Sequence, residues 1–283
     1  MAIRTRTVVA VHGITVGGDE RTRGYTGPTR KALAKFIAGM GAFDVPIREA
    51  LWADLAQRFV SVGKLADAQA VLLSAIGGGA LGALSKVLSW FGVPSLADVA
   101  DLIADVFIYD GPQRTRLIRD HVRGAVLAER QASGRGVVLH GNSLGSVVAL
   151  DVVRDMLDRG EIGPSIAVDR WPVRALLTTG SPLGLDLPLH GGFVDRAVDL
   201  AKRLPRPLDK FRWENVFDPN DPVVTGSLFG LHKGLVNLTR FPGYKRLRVH
   251  EITPQTGQHL RAHLGYWDHP LVVQALFRLA NLA

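Results

Sequence analysis

The chain has 283 residues, of which 47% are hydrophobic and 21% are charged. This balance is typical of a packed globular protein, excludes an intrinsically disordered chain, and is enough for one large domain. The formal net charge is +8 and cysteine is absent, so disulfides, thiolate metal sites and a cysteine nucleophile are excluded.

The basic residues do not form a nucleic-acid-binding pattern. They are scattered along the chain, and their two local clusters, at 202–212 and 240–248, are not interleaved with the aromatic side chains that stack on bases. We therefore expect a solvated basic surface and no nucleic-acid partner. The first apolar run, Val8–Val11, is too short for a signal peptide, so we expect a cytoplasmic protein.

Short β-branched runs alternate with longer helical patterns, which predicts βαβ units and a mostly parallel, doubly wound sheet of the α/β class. The predicted strands are Thr5–Val11, Val45–Leu51, Gly136–His140, Val173–Thr178, Phe211–Phe217 and Arg246–Ile252. The predicted helices are Thr29–Ile37, Gln113–Arg130, Leu144–Leu157 and Leu271–Leu282. The second helix is expected to carry one buried stripe, made of Leu117, Ile118, His121, Val122, Ala125 and Val126. No repeat or flexible linker interrupts the order, so we expect a single domain over residues 1–283.

An apolar insertion at residues 55–104 interrupts the alternation of strands and helices. Within it Ala68–Ser85 carries no charge over 18 residues, close to the ~20 that span a bilayer. The glycines of Gly77–Gly82 break that run, because each costs roughly 1 kcal/mol in a helix interior. We expect helices at Lys64–Ile76, Ala80–Phe91 and Ser95–Val106, which could form a lid, part of the core, or a membrane contact.

A candidate nucleophile follows the predicted strand Gly136–His140. The sequence continues as Gly141-Asn-Ser-Leu-Gly145 directly into a helix, so Ser143 stands at a strand-to-helix turn with no loop residues to spare. Such a turn strains the serine and requires small flanking residues, which Gly141 and Gly145 provide. The alternative is an ordinary turn with Ser143 as a helix N-cap.

An oxyanion hole needs two backbone N–H groups aimed at the reacting oxygen. The N–H of Leu144, at the start of the helix, is one candidate. The first strand ends in His12-Gly13-Ile14, and the loop after it is expected at the same edge of the sheet as the turn at Ser143, where it can supply the second donor. Gly13 or Ile14 would supply it, although a glycine at a strand end is also a common turn.

Two acids follow the predicted strand Phe211–Phe217. Asp218 and Asp221 lie in one loop, and each is followed by a proline that stiffens it, which suits a carboxylate that must hold one orientation. We take Asp221 as the acid that orients the base. Asp218 is the second choice, and Asp186, in the loop after the preceding strand, is the third.

The base is expected after the last strand, because the chain order is serine, acid, histidine in enzymes whose nucleophilic serine stands at a strand-to-helix turn. We take His263, with His259 and His269 as alternatives. The remaining candidates are expected to have structural or surface roles, and they are His12, His140, His190, His232 and His250. His140 precedes the turn inside a strand and is expected to point away from the reaction.

The segment Gly141-Asn-Ser-Leu-Gly-Ser146 resembles the Gly-His-Ser-Leu-Gly-Ser turn of the lipase and esterase branches of the α/β-hydrolase superfamily, with Asn142 in place of the usual histidine. Three further stretches are similar to that branch: His12-Gly13, Thr179-Gly-Ser-Pro-Leu-Gly184 and His263-Leu-Gly-Tyr-Trp267. The family pattern of an acid followed by Pro and Val matches Asp221. The resemblance covers most of the chain except residues 55–104. It implies an α/β-hydrolase fold, no metal and no organic cofactor.

These observations predict a carboxylic-ester hydrolase that forms an acyl-enzyme. The expected catalytic residues are Ser143, Asp221 and His263, and the expected oxyanion-hole residues are Leu144, Ile14 and Gly13. The expected substrate-binding residues are His12, Asn142, Pro182 and Leu183. The apolar insertion favours a lipid or medium-chain ester as the substrate and a peripheral membrane contact. The same triad could instead serve an acyltransferase, a thioesterase or a peptidase, and a non-catalytic binding protein with this fold is the remaining alternative.

Overall fold

The computed structural model describes residues 3–13, 24–40, 43–52, 55, 109, 112–184, 193–204, 211–225, 247–251, 262–263 and 265–282. The helical insertion predicted over residues 55–104 lies outside this part of the chain, apart from Leu55. The three helices predicted within it therefore remain sequence predictions.

Six strands form one sheet in which every pairing is parallel. The strands of the described chain are β1 (Ile3–Arg4), β2 (Val8–Val11), β3 (Phe43–Asp44), β4 (Ile47–Ala50), β5 (Val137–Asn142), β6 (Val173–Thr179), β7 (Arg212–Phe217) and β8 (Leu247–Glu251). The order across the sheet is β4-β2-β5-β6-β7-β8, while β1 and β3 form a separate parallel pair. The α/β class with a mostly parallel sheet is confirmed.

The strand order reverses between β2 and β5, because the chain passes from β2 to β4 on one side and then to β5 on the other. In open α/β sheets this switch point, at the carboxyl ends of the strands, is where ligands bind. Val11 pairs with Gly141, and Asn142 pairs with Thr179. The ends of β2, β5 and β6 therefore meet at one edge, and the loops that follow them converge there.

Helices cover both faces of the sheet. They are α1 (Gly27–Ile37), α2 (Pro112–Ser133), α3 (Leu144–Asp158), α4 (Phe193–Arg203), α5 (Pro222–Thr225) and α6 (Pro270–Ala280). Side chains alternate along each strand, so Val9 and Val11 pack with α2, α3 and α4, whereas Val8 and Ala10 pack with α1 and α6. β5 and β6 are buried at every position, which explains their continuous apolar sequences.

The strands and helices predicted outside the insertion agree with the structure to within three residues at each end, with three corrections. The strand predicted at Thr5–Val11 begins only at Val8, because Arg6 donates its backbone N–H to the Ala280 carbonyl instead of to a neighbouring strand. Leu117 and His121, expected on the buried stripe of α2, are exposed, whereas Ile118, Val122 and Val126 are buried. Helices α4 and α5 and the short strands β1 and β3 were not predicted.

The spacing that identifies α4 is nevertheless present in the sequence. Ala197, Leu200 and Leu204 follow one another at intervals of three and four, and all three are buried in the core beside α3.

Within the described part of the chain, no helix combines the length and the apolar character needed to cross a membrane.

Candidate active site

Ser143 lies at the sharp turn between β5 and α3. Its backbone angles are φ 54° and ψ −131°, and it is the single non-glycine residue with a positive φ in the described chain. A side chain at such a φ is strained, and strain of this kind costs about 1–3 kcal/mol and collects at functional sites. The turn places Ser143 at the carboxyl end of β5, where the residue is 5% exposed.

The two glycines that flank this turn are required by close packing. A Cβ on Gly141 would overlap the Gly145 carbonyl oxygen and stand 2.5 Å from the Ser146 Cα. A Cβ on Gly145 would overlap the carbonyl oxygens of Val11 and His12 at the end of β2. The expectation that these positions cannot carry side chains is confirmed, and the packing brings the end of β2 against the first turn of α3.

His263 joins the serine to a carboxylate. Its Nε2 lies 3.0 Å from the Ser143 Oγ, and its Nδ1 lies 2.8 Å from the Asp221 Oδ2. A carboxylate only accepts hydrogen bonds, so the imidazole proton lies on Nδ1 and Nε2 is left to accept the serine hydroxyl proton. The structure thus brings together the three residues that the sequence predicted to act as a unit.

Asp221 is fully enclosed, with 0% of its surface exposed. Its Oδ1 accepts the backbone N–H of Val223, at 2.8 Å, from the first turn of α5. Its Oδ2 accepts from His263 and from the hydroxyl of Tyr266, which lies at 2.9 Å. Because both oxygens are held by donors, the carboxylate has one orientation, and that orientation fixes the imidazole ring.

Asp218, the second choice for the acid, has a different task. Its Oδ1 accepts the backbone N–H of Asn220 at 2.8 Å, and its carbonyl oxygen accepts the N–H of Asp221 at 3.0 Å. These bonds close the turn that presents Asp221. No hydrogen bond joins the Asp218 carboxylate to His263 among the described residues.

The loop after β2 lies directly against the serine. The His12 ring is buried between aromatic neighbours, stacked on the Trp52 ring at a centroid distance of 5.0 Å and approached edge-on by Tyr25. Its Nε2 accepts the Trp52 backbone N–H at 3.2 Å, so its Nδ1 carries the proton that it donates to the Gly13 carbonyl at 2.6 Å. Ile14, the other predicted donor of the oxyanion hole, lies outside the described residues.

Leu144 is the first residue of α3, and the N–H groups of a first helical turn have no acceptor within the helix. The positive end of the helix macrodipole lies at the same place. The N–H of Leu144 is therefore positioned to stabilise negative charge beside the Ser143 side chain.

Asn142 is held by the neighbouring strand. Its Oδ1 accepts the Thr179 hydroxyl at 2.8 Å, and the same hydroxyl oxygen lies 3.1 Å from the His140 Nε2. The Thr179 proton is already donated to Asn142, so His140 must donate from Nε2. Burial lowers the pKa of His140 from 6.5 to about 3, which keeps its ring neutral. His140 packs against Trp267, and no hydrogen bond joins it to Ser143 in the described chain.

A second group of hydroxyls fixes the backbone of the serine. The Ser146 hydroxyl lies 2.5 Å from the Ser143 carbonyl and 2.6 Å from the Ser181 Oγ, which also accepts the Leu183 N–H at 3.2 Å.

Leu183, predicted to bind substrate, is 0% exposed and belongs to the core beside α4. Pro182 is also buried and begins the 3₁₀ turn Pro182–Gly184.

The other candidates are separate from this constellation. Asp186 and His259 lie outside the described residues. His269 is the N-cap of α6, where its Nδ1 accepts the Leu271 N–H at 3.2 Å, and burial lowers its pKa. Within the described chain, no group of three or more His, Asp or Glu side chains is arranged to hold a metal ion.

Tyr266 is the residue that sequence reasoning missed. It stands in the segment His263-Leu-Gly-Tyr-Trp267, three positions after the histidine, and its hydroxyl bonds to the buried acid. Its place in that segment was the one signal available, since a tyrosine near the end of a chain has no distinguishing pattern.

No protein-family model matches this chain. No curated protein and no solved structure matches it either. A functional conclusion therefore has to come from the geometry of the site, which is a strained serine, a histidine within hydrogen-bond distance of it, and a buried carboxylate behind that histidine.

Proposed function

We propose that this chain is a serine hydrolase with the α/β-hydrolase fold, which cleaves carboxylic esters through an acyl-enzyme on Ser143. The observation that carries the proposal is the continuous line of hydrogen bonds from Ser143 through His263 to Asp221. A serine hydroxyl is a weak nucleophile until a base removes its proton, and the base must be oriented by a third group. The line of contacts meets both requirements at the edge of the sheet where ligands bind.

In the proposed reaction the Ser143 Oγ attacks the carbonyl carbon of the ester while its proton passes to the His263 Nε2. The carbonyl π electrons move to oxygen, which becomes the oxyanion of a tetrahedral intermediate. When the intermediate collapses, the bond to the alcohol breaks and the alcohol leaves with the proton from His263. Water then attacks the acyl-serine by the same steps and releases the carboxylic acid. Asp221 stabilises the imidazolium in both halves.

The oxyanion requires donors that are in place before the reaction begins. The N–H of Leu144 at the start of α3 supports this role, because it lies next to the nucleophile and at the positive end of a helix. The loop of His12 and Gly13, packed against Ser143, supports the second donor from Gly13 or Ile14. Asn142 and Pro182 border the same edge of the sheet and are proposed to contact substrate.

The proposed substrate has an apolar acyl group. Residues 55–104 are predominantly apolar and join the sheet directly after the loop of Trp52, which stacks on His12 beside the serine. A lid formed by this segment would cover the acyl chain and exclude water from the acyl-enzyme. The same apolar surface would allow peripheral contact with a lipid surface that holds the ester.

The proposal is tested with p-nitrophenyl esters of increasing acyl length and with a fluorophosphonate label. We expect hydrolysis that is fastest with medium-chain esters and a single labelled peptide that contains Ser143. Ser143→Ala is expected to lose about four to six orders of magnitude in kcat. Ser133→Ala, which removes a hydroxyl at the end of α2, is the matched control. Equal turnover by Ser143→Ala, or a label that does not attach to Ser143, would contradict the proposal.

A further inference from the structure

Tyr266 donates a hydrogen bond to the oxygen that also holds the histidine. Its hydroxyl lies 2.9 Å from the Asp221 Oδ2, the atom that is 2.8 Å from the His263 Nδ1. The same hydroxyl lies 2.9 Å from the backbone nitrogen of Asp218. A backbone N–H can only donate, so the Tyr266 oxygen accepts from Asp218, and its own proton points at Asp221. One carboxylate oxygen is therefore shared between a phenol and an imidazole.

Gly180 leaves the space that the Tyr266 ring occupies. Gly180, at the end of β6, has φ +54°, and a Cβ there would stand 2.5 Å from the Tyr266 Cε2 and 3.2 Å from the Asp221 Oδ2. The Tyr266 side chain is 0% exposed. Burial, with the charge of Asp221 as the next cause, raises the pKa of the Tyr266 hydroxyl well above its usual value. The phenol consequently remains a donor throughout the pH range in which a histidine base works.

We propose that Tyr266 is a positioning residue that sets how readily His263 binds a proton, by drawing charge from the shared oxygen of Asp221. This inference rests on the function proposed above, because it concerns the base of that reaction. A hydrogen bond to a carboxylate stabilises its negative charge and leaves less of that charge available to a neighbouring imidazolium. With the phenol present, His263 stays neutral, and therefore active as a base, at lower pH.

In the described part of the chain, the charges that act on the Tyr266 hydroxyl are those of acidic side chains. Asp218 and Asp221 act on the Tyr266 hydroxyl, and the His263 ring packs edge-on against the Tyr266 ring at 6.4 Å. Further out, His269 lies in the field of Asp218 and Asp268. Tyr266→Phe also removes the acceptor of the Asp218 backbone N–H. A fluorinated tyrosine keeps that bond, so the effect of the hydrogen bond to Asp221 is read from the two variants together.

The chain offers a matched control at Tyr109. Its hydroxyl also donates to a buried carboxylate, the Asp151 Oδ2, at the same distance of 2.9 Å, and burial raises its pKa as well. Tyr109 bonds to Asp151 of α3, which Arg196 of α4 also contacts, and no hydrogen bond joins Tyr109 to His263 or Asp221 among the described residues. Tyr109→Phe and Tyr266→Phe each remove a hydroxyl that donates to a buried carboxylate. Only the second removes a bond from the proposed triad, and it also removes the acceptor of the Asp218 N–H.

The test is the pH dependence of kcat/KM for a p-nitrophenyl ester. We expect Tyr266→Phe to move the acid limb upward by about 0.5 to 1 pH unit, with KM unchanged, and Tyr109→Phe to superimpose on the wild type. Replacing Tyr266 with 3-fluorotyrosine keeps the ring and makes the hydroxyl a stronger donor, so the limb is expected to move downward. If Tyr266→Phe does not fold, the pH profile of the fluorotyrosine protein alone tests the inference. Unshifted profiles in the variants of Tyr266 would overturn the inference.

A second readout separates this inference from the proposed function. The ring nitrogens of His263 are titrated by NMR in the wild type and in the variants of Tyr266, and we expect midpoints that shift in the same directions as the kinetic limbs. If no Ser143-dependent hydrolysis and no fluorophosphonate labelling occur, the proposed function fails, while the NMR titration still tests the effect of Tyr266. Identical midpoints in all of the proteins would overturn the inference even where the enzyme is active.

Discussion

The Cα of Gly13 faces the side chain of Ser143 at a distance that leaves no room for a methyl group. A Cβ at Gly13 would stand 2.5 Å from the Ser143 Cβ and 3.1 Å from the Ser143 Oγ. The loop after β2 and the turn after β5 are therefore in direct contact at the nucleophile, although 130 residues separate them in the sequence. A larger residue at position 13 would therefore press on the Ser143 side chain.

Gly13→Ala is expected to displace either the loop or the Ser143 side chain. A misplacement of about 1 Å can cost on the order of 10²-fold in rate, so we expect a loss of that size in kcat with the fold retained. The control is Gly124→Ala in α2, where a Cβ would meet nothing within 4 Å. That variant is expected to keep full activity and to gain roughly 0.5–1 kcal/mol in the free energy of unfolding. Wild-type kcat in Gly13→Ala would contradict the close contact.

Asp221→Asn and Asp218→Asn are expected to differ sharply. An amide at position 221 cannot hold the His263 proton on Nδ1, and the wrong imidazole tautomer leaves Nε2 unable to accept the serine proton. We expect kcat to fall by about 10⁴-fold, the loss known for this kind of substitution in serine proteases. Asp218→Asn removes a carboxylate that closes a turn and is expected to affect stability more than kcat. Steady-state kinetics at neutral pH measures kcat for both variants. The reverse ranking would identify Asp218 as the acid.

His140 is expected to make folding sensitive to acid. Its pKa is about 3 in the folded state against 6.5 for the free side chain, so the unfolded chain binds a proton at a pH where the folded chain does not. As far as His140 is concerned, the free energy of unfolding therefore has its full value above pH 6.5. It declines as the pH falls toward 3, by about 1.4 kcal/mol for each pH unit.

His140→Gln keeps a donor for Thr179 and removes the titration. Urea unfolding between pH 7 and pH 4.5 is expected to give a shallower decline in this variant than in the wild type, whatever its stability at pH 7. Parallel curves for the two proteins would rule out His140 as the source of the acid sensitivity.

His12→Phe separates two roles for this residue. A phenyl ring keeps the stacking on Trp52 but cannot donate to the Gly13 carbonyl. If His12 holds the loop that carries an oxyanion donor, kcat falls and KM stays close to its wild-type value, because the lost contact matters in the transition state. A raised KM with unchanged kcat would instead support the substrate-binding role assigned from the sequence.

The central strands were predictable because burial on both faces leaves a continuous apolar run in the sequence. β5 and β6 are of this kind, and the glycines around Ser143 add a turn that few other structures require. The ends of the elements were less predictable. β2 starts late because the Arg6 side chain and backbone bond to carbonyls of Ala280 and Leu282, far away in the sequence.

The core of the candidate site was predictable for a similar reason, since Ser143, Asp221 and His263 each follow a strand whose end lies at the same edge. The choice between Asp221 and Asp218 was not settled by spacing alone, because both lie in one loop. Tyr266 was missed because its contact with Asp221 depends on the space left by Gly180, at the end of a different strand. Contacts of that kind arise from packing between distant segments and leave no local pattern.

The separation of Ser143 and His263 by 120 residues has a consequence for protein synthesis. On the ribosome the serine emerges long before its base, and the strands that carry the intervening loops must pair before the imidazole can reach it. A nascent chain that ends before His263 lacks the proposed base for Ser143. The reactivity proposed for the finished protein is therefore absent until the sheet is assembled.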